Sequence, residues 1–252
     1  MKKIYITALC TLFLSKLVVA EDMASKLTGF YSGLALGVNK LGGKYNTDWN
    51  LYDGDENIDV EAHTYSIGTS SIDFSIIGGW GKLINRTYYG LEANAGYNTT
   101  NDDLVNFKDT DFNNDIQKID VNLKRSFQVG IASRIGQMIT DNIMLYGRLS
   151  LDWQWYKLRV TSDSVIDGFF TSDFTSTIKK SIPALVPGIG IETTISENWL
   201  FRGEATYSIA LKKLYGAETA TNAIIPGGTL KMNNAIRSLN NITVKMGLSY
   251  RF

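Results

Sequence analysis

NITVKMGLSYRF, residues 241–252, alternates without a break. Ile242, Val244, Met246, Leu248, Tyr250 and Phe252 share one face; Asn241, Thr243, Lys245, Gly247, Ser249 and Arg251 share the other. Successive side chains point to opposite faces of a strand, so this is a strand with one oily side and one polar side. About ten residues, apolar outside and polar inside, is what a strand of a transmembrane β-barrel requires.

Seven further segments carry the same pattern: residues 29–39, 72–81, 88–98, 123–136, 143–156, 182–194 and 199–209. In the first, Phe30, Leu34, Leu36 and Val38 face lipid, and Tyr31, Gly33, Ala35 and Gly37 face inward. In the fourth, Phe127, Val129, Ile131 and Ile135 are outside, with Lys124, Ser126, Gln128, Gly130, Ala132 and Arg134 inside. Eight strands is an even number, as single-chain bacterial barrels have. The connections alternate in length. Those at 83–86, 137–142 and 196–198 are short; those at 40–70, 99–120, 161–177 and 212–237 are long. The expected fold is therefore all-β: an eight-stranded antiparallel up-and-down transmembrane β-barrel with long extracellular loops and short periplasmic turns. Pro183 and Pro187 interrupt the sixth strand, and proline cannot donate to a ladder, so a bulge or a late start to pairing is expected near the outer rim.

The amino terminus fits a secreted protein. Lys2 and Lys3 precede an apolar run from Ile4 to Leu14, and Val18-Val19-Ala20 offers a small-residue cleavage site before Glu21. Residues 1–20 read as a cleaved signal peptide and 21–252 as the barrel domain. The run is shorter than the roughly 18 residues of a spanning helix. Cys10 is the only cysteine, so the mature chain has no disulfide or thiolate metal site. Removing Lys2, Lys3 and Lys16 leaves 22 basic against 25 acidic residues, which gives no reason to expect a nucleic-acid partner. Three prolines against 23 glycines suit an all-β chain.

GFYSGLALG at the start, YGLEANAGY in the third segment, GIGIETTISENWLFRGEATYS across the sixth and seventh, and the terminal GLSYRF resemble the small outer-membrane β-barrel family of Gram-negative bacteria. That family includes the OmpA-type barrel domain, the opacity-type adhesins and the surface antigens labelled "porin family". The resemblance implies an eight-stranded barrel in the cell outer membrane, mostly non-enzymatic, with no active site to transfer. It also implies that Leu248, Tyr250 and Phe252 form the assembly signal read by the barrel-assembly machinery.

Inward charges form the best-defined constellation: Glu92, Asp152, Glu192 and Glu204 against Lys124, Arg134, Arg148, Arg202 and Lys245. An eight-stranded barrel is just wide enough for side chains to fill it, and charges buried there must be paired. The expected role is a structural plug of ion pairs in the periplasmic half; a narrow ion path is the functional alternative. His63 is the only histidine and lies in the long first connection, so a metal site or catalytic dyad lacks partners. Asp109, Asp111, Asn113 and Asp115 match the spacing of a calcium loop only superficially, because Asn114 and Asp120 stand where Gly and Glu are needed. No catalytic, cofactor or metal residue is assigned.

Function is expected in the loops, since the strands are occupied with spanning. Tyr45, Trp49, Tyr52 and Tyr65 are the candidate exposed contacts, set among Asp48, Asp53, Asp55, Glu56, Asp59 and Glu61; the equal alternative is that these aromatics fold back over the rim. Arg125 is expected to point outward near the outer rim, at the level of lipopolysaccharide phosphates. The reading is a monomeric integral outer-membrane surface protein, a scaffold for exposed loops in envelope structure and surface recognition or adhesion, and not an enzyme. Its expected partners are outer-membrane lipids, lipopolysaccharide and molecules of host or neighbouring cells. The alternative is a small porin-like channel or a carrier of small apolar molecules.

Overall fold

In the computed structural model the described residues are 27–53, 56–110, 116–166, 170–221 and 229–252. They form ten strands: β1 (Gly29–Asp53), β2 (Glu56–Ile84), β3 (Thr87–Asn98), β4 (Asn101–Thr110), β5 (Ile116–Met138), β6 (Ile143–Ile166), β7 (Phe170–Thr194), β8 (Trp199–Ala210), β9 (Leu214–Thr221) and β10 (Thr229–Arg251). The antiparallel order β1-β2-β3-β5-β6-β7-β8-β10 closes on itself through β1 and β10, an eight-stranded ring. The expected signal peptide lies outside the described residues.

Alternation sets the two faces of the ring. Leu248 and Phe127 are 46% and 44% exposed, whereas Glu92, Arg134 and Ser150 beneath the same sheet are buried. Phe30, Leu34, Leu36, Val38, Ile72, Ile76, Leu91, Ile131, Ile189 and Val244 continue the outward apolar belt. Aromatic side chains flank it: Trp80, Tyr89, Trp199 and Phe252 toward the short turns, and Phe74, Tyr97, Phe127, Trp153, Trp155 and Tyr207 toward the other end. Such girdles mark the two interfaces of a spanning barrel. A tight turn, Asn85-Arg86, joins Ile84 to Thr87 with φ of 47° and 69°, the mirror-image two-residue turn that matches strand twist.

Over their described residues the long connections are mostly strand. β1 and β2 remain paired from Gly29↔Gly81 out to Asp53↔Glu56. β5, β6 and β7 likewise run on to Ile116↔Val165 and Ile166↔Phe170. At about 3.3 Å per residue, the 25-residue β1 is roughly 80 Å long, far more than the nine to eleven residues a membrane strand needs. The ring does not stay closed over that length. β3 breaks at Thr99-Thr100, and β4 beyond it pairs with β5 only. β8 breaks at Leu211–Lys213, and β9 beyond it pairs with β10 only. Beyond the breaks the barrel therefore becomes two facing four-stranded sheets, β9-β10-β1-β2 and β4-β5-β6-β7.

Between these sheets lies an apolar core. Leu41, Tyr45, Ile67, Leu214, Ile236 and Leu239 come from the first sheet; Val121, Leu123, Tyr156, Leu158, Val160, Ile178 and Ile182 come from the second. A second apolar cluster, Leu27, Tyr88, Met138, Met144, Tyr146 and Leu200, fills the opposite mouth. The interior is thus layered: apolar, polar, apolar.

Two bulges change faces. Arg125 pairs with Tyr156 but Gln128 with Gln154, so β5 carries one extra residue there. A bulge of this kind reverses which parity points inward. This corrects the expectation for two cations: Lys124 is exposed outside, and Arg125 is buried inside at 2% exposure. The second lies on β10, where Lys44 pairs with Arg237 after Gly42 with Asn240, and Ser238 adopts a φ of 56°. The prolines of β7 produce no register shift. Pairing with β8 begins at Ala184↔Ala210, and the Pro183 carbonyl accepts from the Leu211 N–H at 2.8 Å. Neither the expected bulge nor a late start is seen: pairing begins at the last residue of β8 and skips only Val186 and Pro187, while pairing to β6 is continuous.

Candidate functional site: the sealed lumen and the outer sheets

Three arginines and three glutamates meet in the polar layer. Arg134, on β5, holds Glu192 of β7 at 2.8 Å and Glu92 of β3 at 3.8 Å. Arg202, on β8, holds Glu92 at 2.7 Å and Glu192 at 3.5 Å. Arg148, on β6, lies 3.4 Å from Glu92 and 3.9 Å from Glu204. Five strands are tied by this cluster, and its charges balance. Tyr31 donates to Glu92 at 3.0 Å and Tyr146 to Glu204 at 3.1 Å, which satisfies further lone pairs. The Arg134 guanidinium also sits 3.9 Å from the Tyr146 ring centre, with Tyr88 at 5.4 Å. Stacking on aromatic faces is favourable for a guanidinium that has left water.

Glycine makes room for these tyrosines. A Cβ at Gly81 would overlap the Tyr88 hydroxyl, and one at Gly190 would overlap the Tyr146 ring. Bare backbone on the inner face lets an aromatic ring lie flat across the neighbouring strand.

Lys245 belongs to a separate pair, with Asp73 at 2.8 Å. Asp73 is legible in the sequence: it precedes inward Ser75 by two residues on the same strand. Asp152 is buried, and no cation among the described residues forms an ion pair with it; its Oδ1 accepts from Ser150, and from Asn94 at 3.5 Å. Lys124 is the one member of the expected constellation that the structure places outside the barrel. Sequence reasoning missed the aromatic lids Tyr31, Tyr88 and Tyr146, because their inward parity reads as neither charge nor motif. It also missed Arg251, buried 5.4 Å from the Tyr31 ring centre.

Above the ion pairs is a chamber of about 30 Å³, bordered by Asn94, Arg125, Gln128, Asp152, Thr206 and Lys245. That volume holds about two waters. Arg125 donates to Gln128 Oε1, while its Nε and Nη1 find no protein acceptor among the described residues.

The four candidate contact residues divide. Tyr45 is 1% exposed, in the core between the two sheets, and Tyr65 is half-buried and stacked on it at 6.2 Å. Neither is an exposed loop contact, because both lie on paired strands where Leu41, Tyr45 and Ile67 pack inward and Tyr65 lies against them. The side chains of Trp49, Tyr52 and His63 lie outside the described residues, as does Asp111–Asp115; the backbones of the first three are in register with Glu61, Asn57 and Thr47. At the carboxyl end, Leu248 and Phe252 are exposed; the Tyr250 ring packs edge-on between Trp199 and Phe252, each at 5.3 Å. Among the described residues no group of three or more His, Cys, Asp or Glu is placed to hold a metal ion.

Residues 6–252 match the family described as "Outer membrane protein beta-barrel domain". No curated protein matches the chain. Among solved structures, Neisserial surface protein A is similar, with 13% identity, a TM-score of 0.44, and coverage of 89% of this chain and 98% of that one. The attachment invasion locus protein Ail of Yersinia pestis has 10% identity, a TM-score of 0.35, and coverage of 84% and 99%. The outer membrane protease OmpT of Escherichia coli has 11% identity, a TM-score of 0.36, and coverage of 88% and 97%.

Proposed function

Because the chain belongs to the outer-membrane β-barrel family and is an integral protein of that membrane, we propose that it is a closed, non-conducting, non-enzymatic scaffold. It carries a rigid two-sheet extension outward to meet molecules of other cells. One observation carries the reading: the strands continue past the lipid belt as paired sheets around an apolar core. A solvated loop would not need that core. A protruding, internally packed structure presents a fixed surface, and fixed surfaces lose less entropy on binding.

The lumen supports the non-conducting part. Apolar clusters close both ends of the polar layer, and the chamber between them has room for about two waters. Leu248, Tyr250 and Phe252, on the outer face of the last strand, serve as the signal for the barrel-assembly machinery in this reading.

The test is an adherence assay with whole cells displaying the protein. The β1–β2 hairpin is trimmed back to Tyr45 and Tyr65 and closed with an Asn-Gly turn, which suits a two-residue hairpin. The trimmed protein should still show heat-modifiable migration in detergent, and adherence should fall to background. Full adherence by the trimmed barrel would refute the recognition role. A steady conductance of the intact protein in planar bilayers would refute the closed lumen.

A further inference from the structure

Lys124, Lys157 and Lys179 lie side by side on the outer wall. Lys124 of β5 is the register partner of Lys157 of β6, and Lys157 is the register partner of Lys179 of β7. All three are exposed, and the residues beside them in sequence, Leu123, Leu158 and Ile178, point into the apolar core. Three cations therefore stand in one row on adjacent strands, with neighbouring Cβ atoms about 5 Å apart. Arg159 is exposed two residues further along β6. Like charges placed directly opposite on a sheet destabilise it. Among the described residues no carboxylate forms an ion pair with any of the three lysines. Asp103 is exposed on β4, one row further out, where its carboxylate accepts from Asn122 at 2.9 Å.

The height of the row identifies what is missing. Trp155 precedes Lys157 by two residues on the same outward face and packs against Phe127 at 5.4 Å. These rings belong to the outer girdle, which sits at headgroup level. The lysines thus begin where the hydrocarbon ends. Exposed Lys40 and Lys44 on β1, and Lys212 and Lys213 after β8, stand at the same transition elsewhere on the ring.

We propose that the Lys124–Lys157–Lys179 row is a binding site for the phosphate groups of outer-leaflet lipopolysaccharide, which supply the counter-charge the sheet lacks. The inference rests on the outer-membrane placement and is independent of the adhesive reading. A failed adherence assay leaves it standing, and the reverse holds as well. Juxtamembrane lysines each contribute roughly fivefold in affinity for an anionic lipid surface.

The experiment measures lipopolysaccharide binding to the full-length barrel in detergent by native mass spectrometry. It compares wild type, K124Q/K157Q/K179Q, K157Q alone, and K82Q, a control at an exposed outward lysine near the short turns. Affinity should fall roughly a hundredfold in the triple variant and roughly fivefold in K157Q, with K82Q unchanged. Dephosphorylated lipopolysaccharide should bind wild type and triple variant alike. In detergent without lipopolysaccharide, the triple variant should melt no lower than wild type, because its repulsion has been removed. Equal affinity of wild type and K157Q, or undiminished binding of the dephosphorylated lipid to wild type, would overturn the proposal. So would displacement of the lipid by inorganic phosphate at equimolar concentration, which would make the row a free-phosphate site.

Discussion

The lower and upper parts of this barrel are built from the same strands with opposite polarity. Along β1, Leu34, Leu36 and Val38 point out and Asn39 points in; a few residues on, Lys40 and Lys44 point out and Leu41 and Tyr45 point in. The pleat has not changed, only which face is oily. In lipid the solvent is outside and apolar, so polar groups must be paired inside. Beyond the headgroups the solvent is water, and the chain reverts to the rule of soluble sandwiches, apolar in and charged out. The transition falls where β3 and β8 break, and the ring opens there into two sheets. A sheet edge in hydrocarbon would strand unpaired backbone groups at several kcal/mol each, whereas in water it is tolerated. Closure is thus compulsory in one region and optional in the other.

The largest expected effect probes what each interior depends on. Glu92 touches three arginines and a tyrosine hydroxyl, so Glu92→Ala leaves three buried arginines facing only Glu192 and Glu204, one buried positive charge in excess. It should cost about 3–5 kcal/mol in urea titrations of the barrel folded into vesicles. In the upper region, Leu158→Ala opens a cavity in the apolar core and should cost about 2–5 kcal/mol. Its signature differs, with faster hydrogen exchange across the extension and unchanged heat-modifiable migration. If both variants loosened the whole molecule equally, the division into two regions would be wrong.

A charge on the outer face sharpens the contrast. Leu34→Arg, in the belt, should destabilise by about 2–4 kcal/mol, read from the same urea titration. Ser66→Arg, exposed on β2 beyond the belt, should change it by less than about 0.5 kcal/mol. The smallest effect is at the short turns. Arg86 and Asp141 pair at 3.5 Å as exposed side chains, and Arg86→Ala should leave the folding midpoint within error.

The lipid-facing half of the fold is legible because a period of two, with one apolar face, has a single physical solution where no helix among the described residues is long and apolar enough to span. The upper half is equally periodic, yet its apolar positions pass for loop residues. Leu41, Tyr45 and Ile67 are spaced among Gly, Lys, Asn and Asp, and the inversion of polarity beyond the membrane hides them from a rule in which oily means outward. The ion pairs of Glu92, Arg134, Arg148, Glu192, Arg202 and Glu204 follow from parity alone. Lys124 and Arg125 exchange places because a bulge adds one residue, and nothing in the composition of LKRSF announces it. The aromatic packing over Gly81 and Gly190 depends on cross-strand register, which a single sequence does not specify.

The most direct test of the polarity switch is a nitroxide scan along β1 of the full-length protein in lipid vesicles, comparing accessibility to oxygen and to a water-soluble relaxant. Labels at residues 34, 36 and 38 should meet oxygen, labels at 40 and 44 the aqueous relaxant, and labels at 41 and 45 neither. Strong aqueous accessibility at both 41 and 45 would contradict the account, because the outer segments would then be solvated loops around an open mouth.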